Sequence, residues 1–204
     1  MAKKSEPDLI SLAFQLVGER GWRNFGFTEL ARRAGVPLAR VYAELPDRGA
    51  ILRGLGRRLD GQMLDLELAE LDGMTPRERV FELVMRRLDA MAPYKDGLRT
   101  VAREVPRDPA LLVAAGCNVG RLSRRLLDAA ETADPPAIAA VARRAIEAIY
   151  VRTFQVWLDD ETPDMARTLA ELDRRLQQAE QVARWIRGFG RFRSGDAPPT
   201  AAAA

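Results

Sequence analysis

The sequence predicts an all-α protein, a small N-terminal helix-turn-helix unit joined to a larger helical bundle, and three observations carry that prediction. No segment of the 204 residues alternates apolar and polar side chains as a half-buried strand does, whereas apolar residues recur at steps of three and four throughout. The stretch Thr28 to Leu45 has the pattern helix, tight turn, helix: Leu30, Ala31 and Ala34 share one face, Gly35 stands where a left-handed residue ends that helix, and Pro37 stands where a second short one begins. Two short helices so joined cross steeply, which leaves one face of the second free. Finally, Met165, Leu169, Leu172, Leu176, Ala179, Val182, Ile186 and Phe189 form one narrow apolar seam, the mark of a helix packed on another helix.

Taken in order, the first six or so residues are polar and expected to be loose. Asp8 can cap a helix carrying Leu9, Leu12, Ala13, Leu16 and Val17, which Gly21 ends. Trp22, Phe25 and Phe27 anchor the turn into the second helix, whose cap falls at Gly26 or Thr28; the third runs from Pro37 to about Ala43. Ile51, Leu55, Leu59, Met63 and Leu66 then form a long stripe. Its Gly54, Gly56 and Gly61 either admit close packing or are simply a tolerated cost of about 1 kcal/mol each. After a connection over Leu71 to Met74, Thr75-Pro-Arg-Glu78 is a capping box with proline at the first helical position, and Val80, Leu83, Val84, Leu88 and Met91 point inward.

Pro93, Pro106 and Pro109 bracket a short helix from about Lys95 to Glu104. A longer one follows, with Leu111, Leu112 and Ala115 and then Leu122, Leu126 and Leu127, interrupted by Gly116 and Gly120 and closed by Asp134-Pro-Pro136. Ile138, Val141, Ala145, Ile149 and Val156 mark the next, ending near Trp157 to Asp160, and the seam helix starts after Thr162-Pro163. The expected organisation is a helix-turn-helix domain over residues 1–50, a helical ligand-binding and dimerisation domain over 51–193, and a flexible tail over 194–204.

Composition narrows the function. Residues 1–58 carry eleven Lys and Arg against six Asp and Glu, while the remainder carries 21 against 23, so the positive field sits at the helix-turn-helix end. That is the footprint of a phosphate-binding module, or of an ordinary solvated face. The chain has no histidine, which removes the commonest general base, the commonest metal ligand and any Ser-His or Cys-His pair. Asp159, Asp160 and Glu161 are adjacent, and sequence neighbours do not face one another across a reaction centre, so they suit a helix end and turn. The expectation is a protein that is not an enzyme, with no cofactor and no metal. Cys117 stands alone, so no intramolecular disulfide forms; it suits a small buried apolar position better than a redox sensor. With no apolar leader and no stretch of membrane-spanning length, a cytoplasmic location is expected.

The segment from about Leu9 to Leu59 resembles the N-terminal domain of the TetR family of bacterial transcriptional regulators, through Gly21-Trp22, Leu30-Ala31, Ala34-Gly35-Val36, Val41-Tyr42 and Leu45-Pro46-Asp47-Arg48 followed by Ile51-Leu52. The resemblance implies a homodimeric, ligand-responsive repressor bound to a near-palindromic double-stranded DNA operator. It places Leu38, Ala39 and Arg40 at the major groove, Tyr42 and Arg48 on phosphates, Pro37 at the helix start, and Thr28 in place of a hydroxyl that the family carries near Phe25 or Gly26. Two departures stand out: Pro37 replaces a Ser-type cap, and Glu44 brings a carboxylate toward the DNA backbone. The resemblance further implies a small apolar ligand in the C-terminal domain, with Met85, Met91, Tyr94, Phe154 and Trp157 as candidate lining, and a two-fold four-helix interface for which Ile149, Val156, Leu169, Leu172 and Leu176 are the candidates. Ordinary core is the competing reading for both groups.

A second resemblance lies further on. Phe154-Gln-Val-Trp-Leu-Asp-Asp-Glu-Thr-Pro163 with Thr168-Leu-Ala-Glu-Leu-Asp-Arg-Arg-Leu176 is similar to the COQ9 family, TetR-like lipid-binding proteins that assist ubiquinone biosynthesis. It implies an accessory role without DNA binding, with the basic and aromatic run Trp185 to Arg193 lying on a membrane or lipid surface.

Overall fold

The computed structural model describes residues 7–131 and 136–193, and of residues 185–193 the backbone alone. The termini, Asp134-Pro135 and the side chains of Trp185 to Arg193, Ile186 and Phe189 of the seam among them, lie outside the described residues. What is described is helical, with no strand.

Asp8 caps α1 (Leu9–Arg20), its carboxylate accepting from the Ser11 N–H at 3.2 Å, and Gly21 ends it at φ 85°. α2 (Phe27–Ala34) starts from Gly26, so Thr28 is an exposed helical residue and the cap is the glycine. At the other end Gly35 is left-handed (φ 64°, ψ 34°), and the Gly35 and Val36 N–H groups donate to the carbonyls of Arg32 and Ala31 at 3.2 and 3.1 Å. This reverse turn requires a residue without a Cβ penalty at position 35. α3 (Leu38–Glu44) lies one residue later than expected, because Pro37 is extended at ψ 143° and acts as the cap. Asp47 caps α4 (Arg48–Leu64), accepting from the Ala50 N–H at 2.7 Å, and Leu66 falls beyond its end.

The expected capping box opens α5 (Pro76–Met91), with Thr75 and Glu78 exchanging hydrogen bonds. α6 (Lys95–Glu104) has the expected bounds. α7 (Pro109–Ala129) corrects an expectation: Gly116 and Gly120 are helical and do not interrupt it. Buried Leu111, Ala114, Leu122 and Leu126 on both sides hold the helix to its neighbours, which outweighs the roughly 1 kcal/mol each glycine costs. α8 (Pro136–Leu158) and α9 (Ala166–Arg193) close the fold. Between them the buried Asp160 carboxylate accepts from the Oγ1 and N–H groups of both Thr162 and Thr168. Burial pushes this carboxyl up, but the four hydrogen bonds win and hold it well below the usual carboxylate range. The acidic run is thus a helix corner, as its sequence implies.

α4 is central, packed against α1, α5 and α7; α8 packs on α7 and α9, and α9 also on α5. One apolar core runs from Leu9 in α1 to Leu176 in α9. α1 lies chiefly on α6, and the crossing is close: a Cβ on Gly97 would stand 2.5 Å from the Phe14 carbonyl oxygen, and one on Gly18 would stand 3.5 Å from the Gly97 nitrogen. On α4, Gly54 lies beneath the Ile10 side chain and Gly56 against Arg121 and Asn118, whereas nothing lies within 4 Å of a Cβ on Gly61. Gly54 and Gly56 therefore serve close packing, and Gly61 is a tolerated cost. A polar clasp joins α1, α4 and the start of α6: Arg58 forks onto Asp8 at 2.6 and 2.8 Å and donates to the Tyr94 hydroxyl at 3.1 Å.

These contacts set expected outcomes for chemical denaturation. Gly61→Ala raises stability by up to about 1 kcal/mol, whereas Gly97→Ala lowers it by about 1–3 kcal/mol because backbone, not a pliable side chain, blocks the new methyl. The clasp has a pH signature. The Arg58 hydrogen bonds draw the Asp8 carboxyl down to about 2 from its ordinary 3.8, so its stabilisation is present above the ordinary value and lost as pH falls through the folded one. Titrating from about pH 5 to about pH 2, the parent protein loses more stability than Asp8→Asn, by less than about 1 kcal/mol since the pair is half-exposed.

Candidate nucleic acid face and ligand cavity

The α2–turn–α3 unit presents one side to solvent. Val41, fully buried, anchors α3, while Pro37, Leu38, Ala39, Tyr42 and Ala43 are exposed, Leu38 at 39% and Tyr42 at 48%. The Tyr42 ring is held against Phe27 at 5.2 Å between centroids, and Phe27 in turn meets Phe25 edge-on at 5.4 Å, so the exposed phenol is fixed from below. Arg40 donates from Nε to Glu44 Oε1 at 3.1 Å, an exposed i,i+4 pair with the cation N-terminal, the weaker of the two orders. The departure noted at Glu44 therefore bears directly on Arg40, whose guanidinium it partly neutralises.

Arg48 has a different place from the one expected. Its guanidinium donates to the carbonyls of Trp22, Arg23 and Phe25 at 3.1, 3.4 and 2.7 Å, which satisfies the main chain of the turn between α1 and α2. Other cations near the unit sit in surface pairs: Arg33 with Glu19, Arg20 and Arg32 with Glu29, and Arg23 with Glu104. Exposed pairs of this kind are worth about 0–1 kcal/mol, so they yield readily to a competing phosphate.

A cavity of about 1160 Å³ lies among α4, α5, α6, α7 and α8 and opens between α7 and α8. Of the expected lining residues it brings together Met91 and Phe154. The other three are corrected. Trp157 is buried in the core, stacked on Phe154 with the Lys95 ammonium 5.2 Å from its ring centre; Met85 is buried on α5 away from the cavity; Tyr94 belongs to the Arg58 clasp and a smaller cleft between α1 and α6. Their helical spacing reflects core packing. Cys117, expected to be buried, is exposed on the cavity wall.

Sequence reasoning missed the polar centre beside this cavity. Asp60, fully buried, accepts from Arg87 through Oδ1 and from Arg121 Nε through Oδ2 at 2.9 Å, and the same Oδ2 forms an ion pair with Arg125 at 2.9 Å. Arg87, itself 4% exposed, also donates to the Tyr150 hydroxyl at 3.1 Å, which reaches Met91 Sδ at 3.5 Å. The signal was present: Asp60 and Arg87 interrupt the apolar faces of their helices, adjoining Leu59 and Leu88, and a charge on such a face needs a buried partner. Among the described residues, no group of three His, Cys, Asp or Glu is placed to hold a metal ion, and no helix is long and apolar enough to cross a membrane.

The candidate interface residues divide. Ile149, Leu172 and Leu176 are buried within the chain, so they form intrachain core where α8 and α9 pack, and a partner has nothing left to cover there. Val156 and Leu169 are half-buried, while Val141 on α8 and Val182 on α9 are exposed.

Comparison with known proteins places these features in a fold. A TetR transcriptional regulator from Nitrosomonas europaea superposes with a TM-score of 0.71 at 22% identity, covering 85% of this chain and 96% of that one. A TetR-family regulator from Streptomyces coelicolor gives 0.63 at 20% identity over 86% and 79%, and one from Rhodococcus sp. RHA1 gives 0.61 at 16% over 83% and 92%. The COQ9 family model matches residues 141–183, which span most of α8 and the first part of α9. No curated protein sequence matches the chain significantly. The chain therefore has the all-α fold of the TetR-type transcriptional regulators.

Proposed function

We propose that the protein is a ligand-responsive, homodimeric DNA-binding repressor, with residues 1–50 as the DNA-binding unit and residues 51–193 as the ligand-binding and dimerisation unit. The observation that carries this reading is a shared pair of helices. Leu52, Leu55 and Leu59 of α4 and Leu98, Val101 and Ala102 of α6 wall the cavity, and the same two helices pack against α1, on which the helix-turn-helix is built. A ligand that favours one spacing of α4 and α6 biases the position of α3 and hence the separation of two α3 helices on an operator.

In this reading Leu38 and Ala39 contact thymine methyls, Arg40 forks to guanine or phosphate after exchanging Glu44 for DNA, and Tyr42 donates to a phosphate. Thr28 and the α3 start at Pro37 lie on the DNA side. Arg48 acts through the turn it holds, and phosphate contact is secondary for it. The dimer forms along α8 and α9, where Val141, Val156, Leu169 and Val182 keep apolar surface outside the intrachain core.

One observation favours a second reading, a lipid-binding accessory protein of the COQ9 kind: the family model that matches covers α8 and α9, not the helix-turn-helix.

Selection of binding sites from a pool of random duplex DNA, followed by titration across a salt series, separates the two. The expected outcome is a near-palindromic site, a steep loss of affinity with salt, and a loss of about tenfold or more for Arg40→Ala with a smaller loss for Tyr42→Phe. Glu44→Gln strengthens binding to all sequences, because it removes a negative charge from the face turned toward phosphate. Weak, sequence-blind binding indifferent to Arg40→Ala overturns the regulator and leaves the accessory reading. Arg48→Gln is expected to lower unfolding stability by about 1–3 kcal/mol, since it strands main-chain carbonyls, whether or not DNA is present.

A further inference from the structure

The cavity is divided along its length. α7 and α8 are packed on one another with Ser123 Oγ 3.3 Å from Glu147 Oε1, and the short connection between Ala129 and Pro136 makes them antiparallel, so the N-terminal half of α7 faces the C-terminal half of α8. At that end the lining is apolar, from Leu112, Ala115 and Val119 of α7, Val151 and Phe154 of α8, and Val101 of α6. At the opposite end the lining is cationic, with Arg121 and Arg124 of α7, Arg143 and Arg144 of α8, and the buried Arg87 of α5.

The positive charge there is not matched. Glu147 is the single acidic residue in the lining and serves both Arg143 and Arg144, while Asp60 serves Arg87, Arg121 and Arg125 together. Arg124 has no ion-pair partner among the described residues. At the apolar end the lining carries a single arginine, Arg152, which is exposed and lies 3.5 Å from Glu171, a carboxylate it shares with Arg174 and Arg175. Guanidinium groups that line one end of an apolar space offer an oxyanion forked, charge-assisted hydrogen bonds.

Resting on the reading of this cavity as the ligand site, we infer that its ligand is an amphipathic anion: a single alkyl chain in the apolar end, bearing a compact carboxylate or phosphate held by Arg124, Arg143 and their neighbours. The volume of about 1160 Å³ is ample for a single alkyl chain and its head group. The expected small apolar ligand is thereby given a charged head.

The test is calorimetric titration of the full chain, without DNA, with dodecanoate, dodecyl phosphate and dodecanol, each below its aggregation threshold. The two anions are expected to bind, the stronger of them identifying the head group, and the alcohol to bind about tenfold more weakly or worse. Arg124→Gln combined with Arg143→Gln, both on exposed or half-exposed positions, costs the anions about tenfold in affinity and leaves the alcohol unchanged. Ala115→Trp, which fills the apolar end, abolishes binding of all three, and circular dichroism checks that each variant is folded. Equal affinity for alcohol and anions, no effect of the arginine substitutions, or no binding of either anion overturns the inference. The regulator reading fails separately: anion binding without any change in DNA affinity sinks regulation through this cavity, and operator binding without anion binding sinks the ligand class alone.

Discussion

The buried carboxylate of Asp60 is the constraint around which the larger part of the molecule is arranged. An ionised carboxylate with no access to water is stable only if cations and hydrogen bonds surround it, and here three guanidinium groups from α5 and α7 do so. α4 is thereby fixed to two neighbours, and Arg87 extends the network to Tyr150 on α8. Such a cluster contributes more to register than to stability, because its desolvation penalty offsets much of the Coulomb attraction. Slipping α4 by one residue would leave charges stranded in the core, so α4 keeps one register against α5 and α7. The same cluster leaves cationic surface at one end of that cavity.

The N-terminal unit is joined to this frame by different chemistry. Apolar packing of α1 on α4 and α6 provides most of the contact, and the Arg58 clasp fixes how α1 sits above the start of α6. Within the unit, order comes from satisfying main-chain groups: the left-handed Gly35 turns the chain, and Arg48 covers three carbonyls of the preceding turn. An arginine that resembles a nucleic acid contact in sequence is thus also a structural cap, and the two roles differ in what their loss does to the free protein.

Most of the fold was legible because it rests on local signals. Asp8, Gly21, Gly35 and the Thr75–Glu78 box mark helix ends through hydrogen bonds within three or four residues, and the helices begin and end there. Gly116 and Gly120 misled, since helix propensity is a weak preference that burial of Leu111, Ala114, Leu122 and Leu126 overrides. The site was less legible. Periodicity shows which residues face inward, but cannot separate Met91 and Phe154, which line a cavity, from Met85 and Trp157, which fill the core beside it. Leu172 and Leu176 posed the same difficulty, one apolar seam serving equally for a subunit's own core or for a partner. The arginines of α7 and α8 pass as a solvated face until the fold sets the two helices antiparallel.

The crossing of α1 and α6 has a mechanical consequence. Where two helices touch through side chains, a small displacement of one is absorbed by rotamer changes and fades within a layer. At Gly18 and Gly97 no such layer exists, and the two main chains meet almost directly. The joint is therefore stiff: α6 cannot approach α1 or slide along it without carrying it. Any force applied to α6 from within the protein reaches α1 as rigid-body movement, undamped, over the distance of a single helix contact.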